Sequence, residues 1–168
     1  MFLPISLLFV GAVLVLNGLW MSGRISDREI VVVNFATAAI TATVAAVSLV
    51  RATTGDEIRS VALTLLFSAT YLWVAVNRLN GADGRGLGWF SLFVSLSVLP
   101  QAFLALASAA KFIDIWLGIC WLTWSGLWFM YFATLTMKKP VQDQTAVATL
   151  LSGVLTAWLP ALFLMYGA

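Results

Sequence analysis

Trp121, Trp124 and Trp128 recur at i, i+3 and i+7 inside one apolar run, which sets three indoles along a single stripe of a helix. Phe67 and Tyr71 stand one turn apart in another run with Thr70 beside them, and Leu3, Leu7, Val10, Leu14 and Asn17 form a matching stripe near the N-terminus. The chemistry such a set offers is non-covalent. Stacked ring faces suit a small, flat, uncharged solute such as an amide. Burying an amide without hydrogen bonds costs roughly 2–7 kcal/mol, and Asn17, Asn34, Asn77, Gln101, Ser152 and Thr156 are the polar side chains available to offset it. Ordinary aromatic packing produces the same spacing, so periodicity alone leaves both readings open. An interfacial belt accounts for Trp89, Trp116 and Trp20 near the ends of apolar runs, but not for three indoles through the centre of one.

Chemistry of other kinds has little to work with. The sequence shows no nucleophile–base pair, phosphate-binding loop or metal-ligand cluster, so no enzyme and no cofactor is expected. Cys120 is the only cysteine and lies mid-run, where it reads as a small packing residue. Histidine is absent, and no Asp, Glu, Lys or Arg falls in the interior of an apolar run; Arg59, Lys111 and Asp114 sit near run ends. Proton relays, voltage sensors and most ion-coupled carriers need an ionisable group at depth. A protein of this kind is expected to move something neutral, and to move it downhill.

The elements that must position these residues occupy nearly the whole chain. Six spans are predicted, at Phe2–Met21, Ile30–Val50, Ile58–Asn77, Leu87–Ala110, Phe112–Met137 and Thr145–Tyr166, within a single membrane domain of 168 residues. A span needs roughly 20 apolar residues. A hydrophobic content of 62% and a mean hydropathy of +1.01 point the same way. The net charge of +2 comes from basic residues scattered over short connectors, without the cluster that nucleic acid would require. The first run lacks a basic leader and a small-residue cleavage site, so it reads as a retained helix rather than a signal peptide.

Short connectors bearing Ser22-Gly23, Thr54-Gly55, Asn80-Gly81 and Pro140 make consecutive helices antiparallel, predicting an all-α bundle of three hairpins. Arg24, Arg28, Arg78, Arg85, Lys138 and Lys139 lie in the odd-numbered connectors, against Arg51, Arg59 and Lys111 in the even ones. Positive loops stay inside, so both termini are expected to be external. Ala38, Ala42 and Ala46, with Thr37 and Thr41 beside them, form a small-residue stripe that would allow close packing or oligomerisation.

Four blocks in order carry a resemblance: Leu65 to Asn77, Gly88-Trp89-Phe90-Ser91-Leu92-Phe93-Val94, Trp121 to Trp128, and Leu155-Thr156-Ala157-Trp158-Leu159-Pro160. With Val10-Gly11 and Asn17-Gly18 they make the chain resemble the AmiS/UreI family, which comprises an acid-gated urea channel and amide transporters encoded beside amidases. The resemblance implies a six-helix protomer with external termini in the cytoplasmic (inner) membrane, a pore within each protomer and a ring-shaped homohexamer. It implies a passive channel for urea or short-chain aliphatic amides, associated in function with an amidase or urease. It also implies that Leu3, Val10 and Leu14, Phe67 and Tyr71, and Trp121, Trp124 and Trp128 line two constrictions.

Two departures stand out. The acid-gated member carries a pore carboxylate where this chain has Ser152, just before Gly153 of the Gly-x-Leu-Thr-Ala-Trp block. Its external loops are long and rich in histidine, whereas the connectors here around Thr54–Glu57 and Lys111–Asp114 are short and contain none. Titration near pH 5–7 ordinarily needs histidine or a strongly shifted carboxylate, so acid gating is not expected. A coupled carrier of the same solutes and a non-transporting membrane assembly protein are the alternative readings.

Overall fold

The structure, a computed structural model, describes residues 2–167 and is all helical. Five continuous helices, α1 (Leu3–Met21), α2 (Asp27–Arg51), α3 (Gly55–Asn80), α4 (Arg85–Ala107) and α5 (Phe112–Leu135), precede a sixth span. That last span is composite: α6 (Gln142–Ser152), a π-helical segment over Gly153–Trp158, and α7 (Leu159–Tyr166). All six spans are long and apolar enough to cross a bilayer. Val50, Trp89, Phe93 and Phe112 lie on exposed faces, as befits side chains that lipid would cover.

Helix ends and apolar spans do not coincide. The second helix starts at Asp27 rather than Ile30, because Ser26 Oγ accepts from the Glu29 N–H at 3.3 Å while the Glu29 carboxylate accepts from the Ser26 N–H. Thr54 and Glu57 form the same reciprocal cap, which begins the third helix at Gly55. Polar capping turns belong to the helix yet add nothing to the apolar count. The fourth helix stops early at Ala107, where the Ser108 hydroxyl turns back to the Leu104 carbonyl at 2.9 Å.

Packing does not simply follow chain order. The most extensive interfaces are α4 with α5, α2 with α3, and α1 with the sixth span, while α1–α2, α3–α4 and α5–α6 meet less extensively. The three tightest pairs are therefore offset by one helix from the hairpins read in sequence order. Small and hydroxylic residues explain the tight ones. A Cβ on Gly11 would stand 2.8 Å from the Trp158 backbone nitrogen, and one on Gly153 would stand 2.7 Å from that of Val15. Only glycine allows that approach. Thr41 and Ser68 hydroxyls meet at 2.6 Å between α2 and α3, and Ser95 and Ser125 each donate to the other's carbonyl between α4 and α5, at 2.8 and 2.9 Å.

On α2 the buried stripe is Asn34, Thr37, Ala38, Thr41 and Ala45; Ala42 is half-buried and Ala46 exposed. A four-residue repeat overshoots each 3.6-residue turn, and two steps carry it about 80° off the face.

Pro160 explains the break in the sixth span. The Leu159 N–H bonds the Val154 carbonyl five residues back, and a proline follows with no N–H to give to Leu155. The Leu155 carbonyl accepts the Trp116 indole N–H instead, at 3.0 Å.

Candidate functional site

Consecutive helices alternate in direction, so α1, α3 and α5 run parallel and carry their stripes at matching levels. Leu7, Val10 and Leu14 of α1, Phe67 and Tyr71 of α3, and Trp124 and Trp128 of α5 belong to one buried cluster. Phe67 is its hub. Its ring lies 5.9 Å from Trp121 in a stacked arrangement, 5.4 Å from Trp124 edge-on and 4.8 Å from Trp128. Trp121 and Trp124 meet edge-to-face at 5.1 Å. Such offset geometries are favourable by about 0.5–1.5 kcal/mol per pair beyond burial.

Hydrogen bonds lock the rings. The Trp124 indole N–H donates to Thr156 Oγ1 at 2.7 Å, and Thr156 in turn donates to the Ser152 carbonyl at 2.6 Å. Thr156 lies within the π-helical segment, so the irregular turn supplies the acceptor for a central indole. Such segments recur at functional sites. Trp128 donates to Thr70 Oγ1 at 3.2 Å. Tyr71 is the exception: it is 1% exposed, and its hydroxyl has no hydrogen-bond partner among the described residues.

On one side of this cluster lies a chamber of about 460 Å³ to which all six spans contribute. Its walls include Leu14, Asn17, Thr70, Tyr71, Val74, Asn77, Ser91, Trp128 and Tyr131, and its far end includes Trp20, Asp27, Arg78, Asp83 and Gln142. A second cavity, about 410 Å³, lies toward the other end of the bundle between α1, α2 and α3, with Leu3, Ser6, Val61 and Thr64 in its wall. Leu7, Val10 and Phe67 line neither cavity and fall between them along α1 and α3. A solute-sized space thus stands at each end of an aromatic and aliphatic septum.

The AmiS/UreI family transporter model matches residues 2–168, essentially the whole chain. The chain belongs to the AmiS/UreI family. A Mycolicibacterium smegmatis protein described as an amidate substrates transporter is 38% identical over 97% of this chain and 76% of its own length. The acid-activated urea channel of Helicobacter pylori is 31% identical over 95% of both chains. A cryo-EM structure of the Helicobacter pylori urea channel in a closed state superposes with a TM-score of 0.88 over 97% of each chain, at 31% identity. Family and structural neighbours are transporters and channels rather than enzymes, and this AmiS/UreI chain is a multi-pass membrane protein of that transport class.

Within the AmiS/UreI fold the residues singled out by spacing, polarity or the family resemblance fall into four groups. Val10, Leu14, Phe67, Tyr71, Trp124 and Trp128 are buried together, with the half-buried Trp121 stacked on Phe67. Leu3 is 44% exposed and lines the second cavity. Ser152 is buried in the wall behind Trp124, lines neither cavity, and reaches the indole only through Thr156. Asn17 and Asn34 satisfy each other, with Nδ2–Oδ1 distances of 3.3 and 2.7 Å, and Gln101 accepts from Arg59 at 2.8 Å.

Spacing missed Tyr131, which continues the Trp124–Trp128 stripe by three residues and bonds Thr149 at 2.7 Å. It also missed the cluster of Trp20, Asp27 and Arg78. Tyr131 carries the same helical period as the tryptophans and could have been found by it, whereas the approach of Arg78 to Trp20 and Asp27 joins separate helices and leaves no periodic signal.

Proposed function

We propose that this protein is a passive channel for urea and short-chain aliphatic amides, with a pore through each protomer along the axis of the two cavities. The observation that carries the reading is the Tyr71 hydroxyl, buried and unpartnered where the locked rings meet the chamber. A passing amide offers the carbonyl acceptor or the N–H donor that this hydroxyl lacks. The neighbouring rings supply stacking faces while their own indole donors are engaged. An ion would have to shed its water against apolar walls without a compensating charge, which is costly. The urea channel and amidate transporter among its relatives support the same solute class.

The same reading takes the protein as a ring of six protomers in the cytoplasmic membrane with both termini outward. It works beside an enzyme that hydrolyses the solute, and external acid does not open it. The absence of histidine supports this expectation.

The test is stopped-flow entry of urea and acetamide into proteoliposomes with and without purified protein. A channel speeds equilibration without accumulation. Uptake beyond equilibrium, driven by an ion gradient, would mean a coupled carrier. No acceleration with a correctly assembled protein would leave only an assembly role.

A further inference from the structure

The far end of the chamber holds a charge pair that is close but not closed. Arg78 Nη1 and Asp27 Oδ2 stand 3.9 Å apart, beyond hydrogen-bond distance. Trp20 holds both partners. Its indole N–H donates to Asp27 Oδ1 at 2.7 Å, and its ring lies 5.3 Å beneath the Arg78 guanidinium. Among the described residues Arg78 gives one hydrogen bond, a long one to the Ala82 carbonyl at 3.4 Å, leaving most of its donors unmatched there. The neighbouring Asp83 differs, because it is occupied by Arg85 through a 2.6 Å bond.

Resting on the channel reading above, we propose that Asp27 and Arg78 form a docking pair for the neutral amide at the charged mouth of the chamber. The solute carbonyl accepts from the guanidinium, and its NH₂ donates to Asp27 Oδ2. An amide presents acceptor and donor side by side on one planar edge, which suits a donor and an acceptor separated by such a gap. Ions are treated differently: an ammonium drawn to Asp27 is repelled by the adjacent guanidinium, and a carboxylate drawn to Arg78 is repelled by the adjacent Asp27. The pair therefore favours a dipole over either sign of charge. Trp20 is a positioning residue, fixing Asp27 through its N–H and Arg78 through its ring face.

The experiment measures acetamide flux against concentration in proteoliposomes, with solute supplied from each side in turn, and acetamide binding by saturation-transfer NMR on the detergent-solubilised protein. Supplied from the chamber side, Arg78→Met and Asp27→Ala are each expected to raise the half-saturating concentration about tenfold, the effect of losing a hydrogen bond to a charged group. The saturation-transfer signal should weaken in parallel. Arg78→Lys should recover part of it. Trp20→Phe, which keeps a ring face but loses the N–H, should give a smaller rise. A merely structural tie would lower the melting temperature and leave half-saturation unchanged, which would overturn the proposal. So would an unaltered protein that shows no acetamide binding. Binding that depends on Arg78 without any flux would instead overturn the channel reading and leave the docking pair standing.

Discussion

The septum and the chamber mouth are built from the same residue types in opposite ways. At the septum, Trp124 and Trp128 spend their indole donors on Thr156 and Thr70, so the rings present faces and edges of fixed position. At the mouth, Trp20 spends its donor on Asp27, and the result is an Arg78–Asp27 pair left apart with bonding capacity unspent. In the channel we propose, the first arrangement sorts by shape and by the cost of dehydration, and the second by dipole. Tyr71 stands between them: it lines the chamber, and its hydroxyl is buried without a partner among the described residues. The difference teaches that tryptophan serves here as wall or as scaffold according to where its N–H is bonded.

Replacing Trp124 by Ala is the strongest way to break the contrast, because it opens the septum while leaving the mouth intact. Permeability to butyramide or glycerol relative to urea is expected to rise on the order of tenfold or more. A graded amide series on purified, assembled protein reads the ratio. Unchanged ratios for Trp124→Ala would mean that the rings only pack the bundle.

Tyr71→Phe asks whether one hydroxyl matters where the rings already fit. Urea flux should fall about two- to tenfold, the range of a single neutral hydrogen bond, with assembly unaffected. Stopped-flow light scattering is sufficient. Faster urea entry in the phenylalanine variant would assign Tyr71 to obstruction rather than recognition.

Thr156→Val sharpens the distinction between wall and scaffold by removing the acceptor of Trp124 without touching the ring. Stability should fall by about 1–3 kcal/mol, since a buried donor is left unmet, and the butyramide-to-urea ratio should rise by less than in Trp124→Ala. Thermal unfolding in detergent, paired with the amide series, separates the two effects.

The smallest expected effect is none. Flux should be nearly flat between about pH 5 and 7.5, because histidine is absent and the connector carboxylate Asp83 has its pKa lowered. Whatever Asp83 contributes through its depressed pKa is complete above the ordinary carboxylate range and is lost only as pH falls through its lowered value, below this window. A steep change across the window would reveal a titrating group elsewhere.

Much of this was legible from order along the chain. Apolar runs between charged connectors marked six spans, and 3.6-residue periodicity set Val10 and Leu14, Phe67 and Tyr71, and the three tryptophans on inward stripes. Those signals are local, arising from helix geometry and from the exclusion of charge from lipid. The same local logic set Ala46 with Ala38, although a fourfold repeat drifts off a helix face and Ala46 lies outside the protomer's buried stripe, and it assigned Trp20 and Arg78 to belt and topology roles that overlooked their contact with each other.

By itself, then, the sequence determined the number of spans, their alternating direction and the residue types available at each level, since these depend on hydropathy and connector length alone. Only the tertiary structure decided that α1 closes against the sixth span through Gly11 and Gly153, that Thr156 rather than Ser152 meets Trp124, and that Asp27 stops short of Arg78. Each of these joins residues distant in the chain. Which carbonyl lies beneath a glycine, or which hydroxyl faces an indole, depends on how helices rotate and slide when they pack, and no period in one helix encodes the rotation of another.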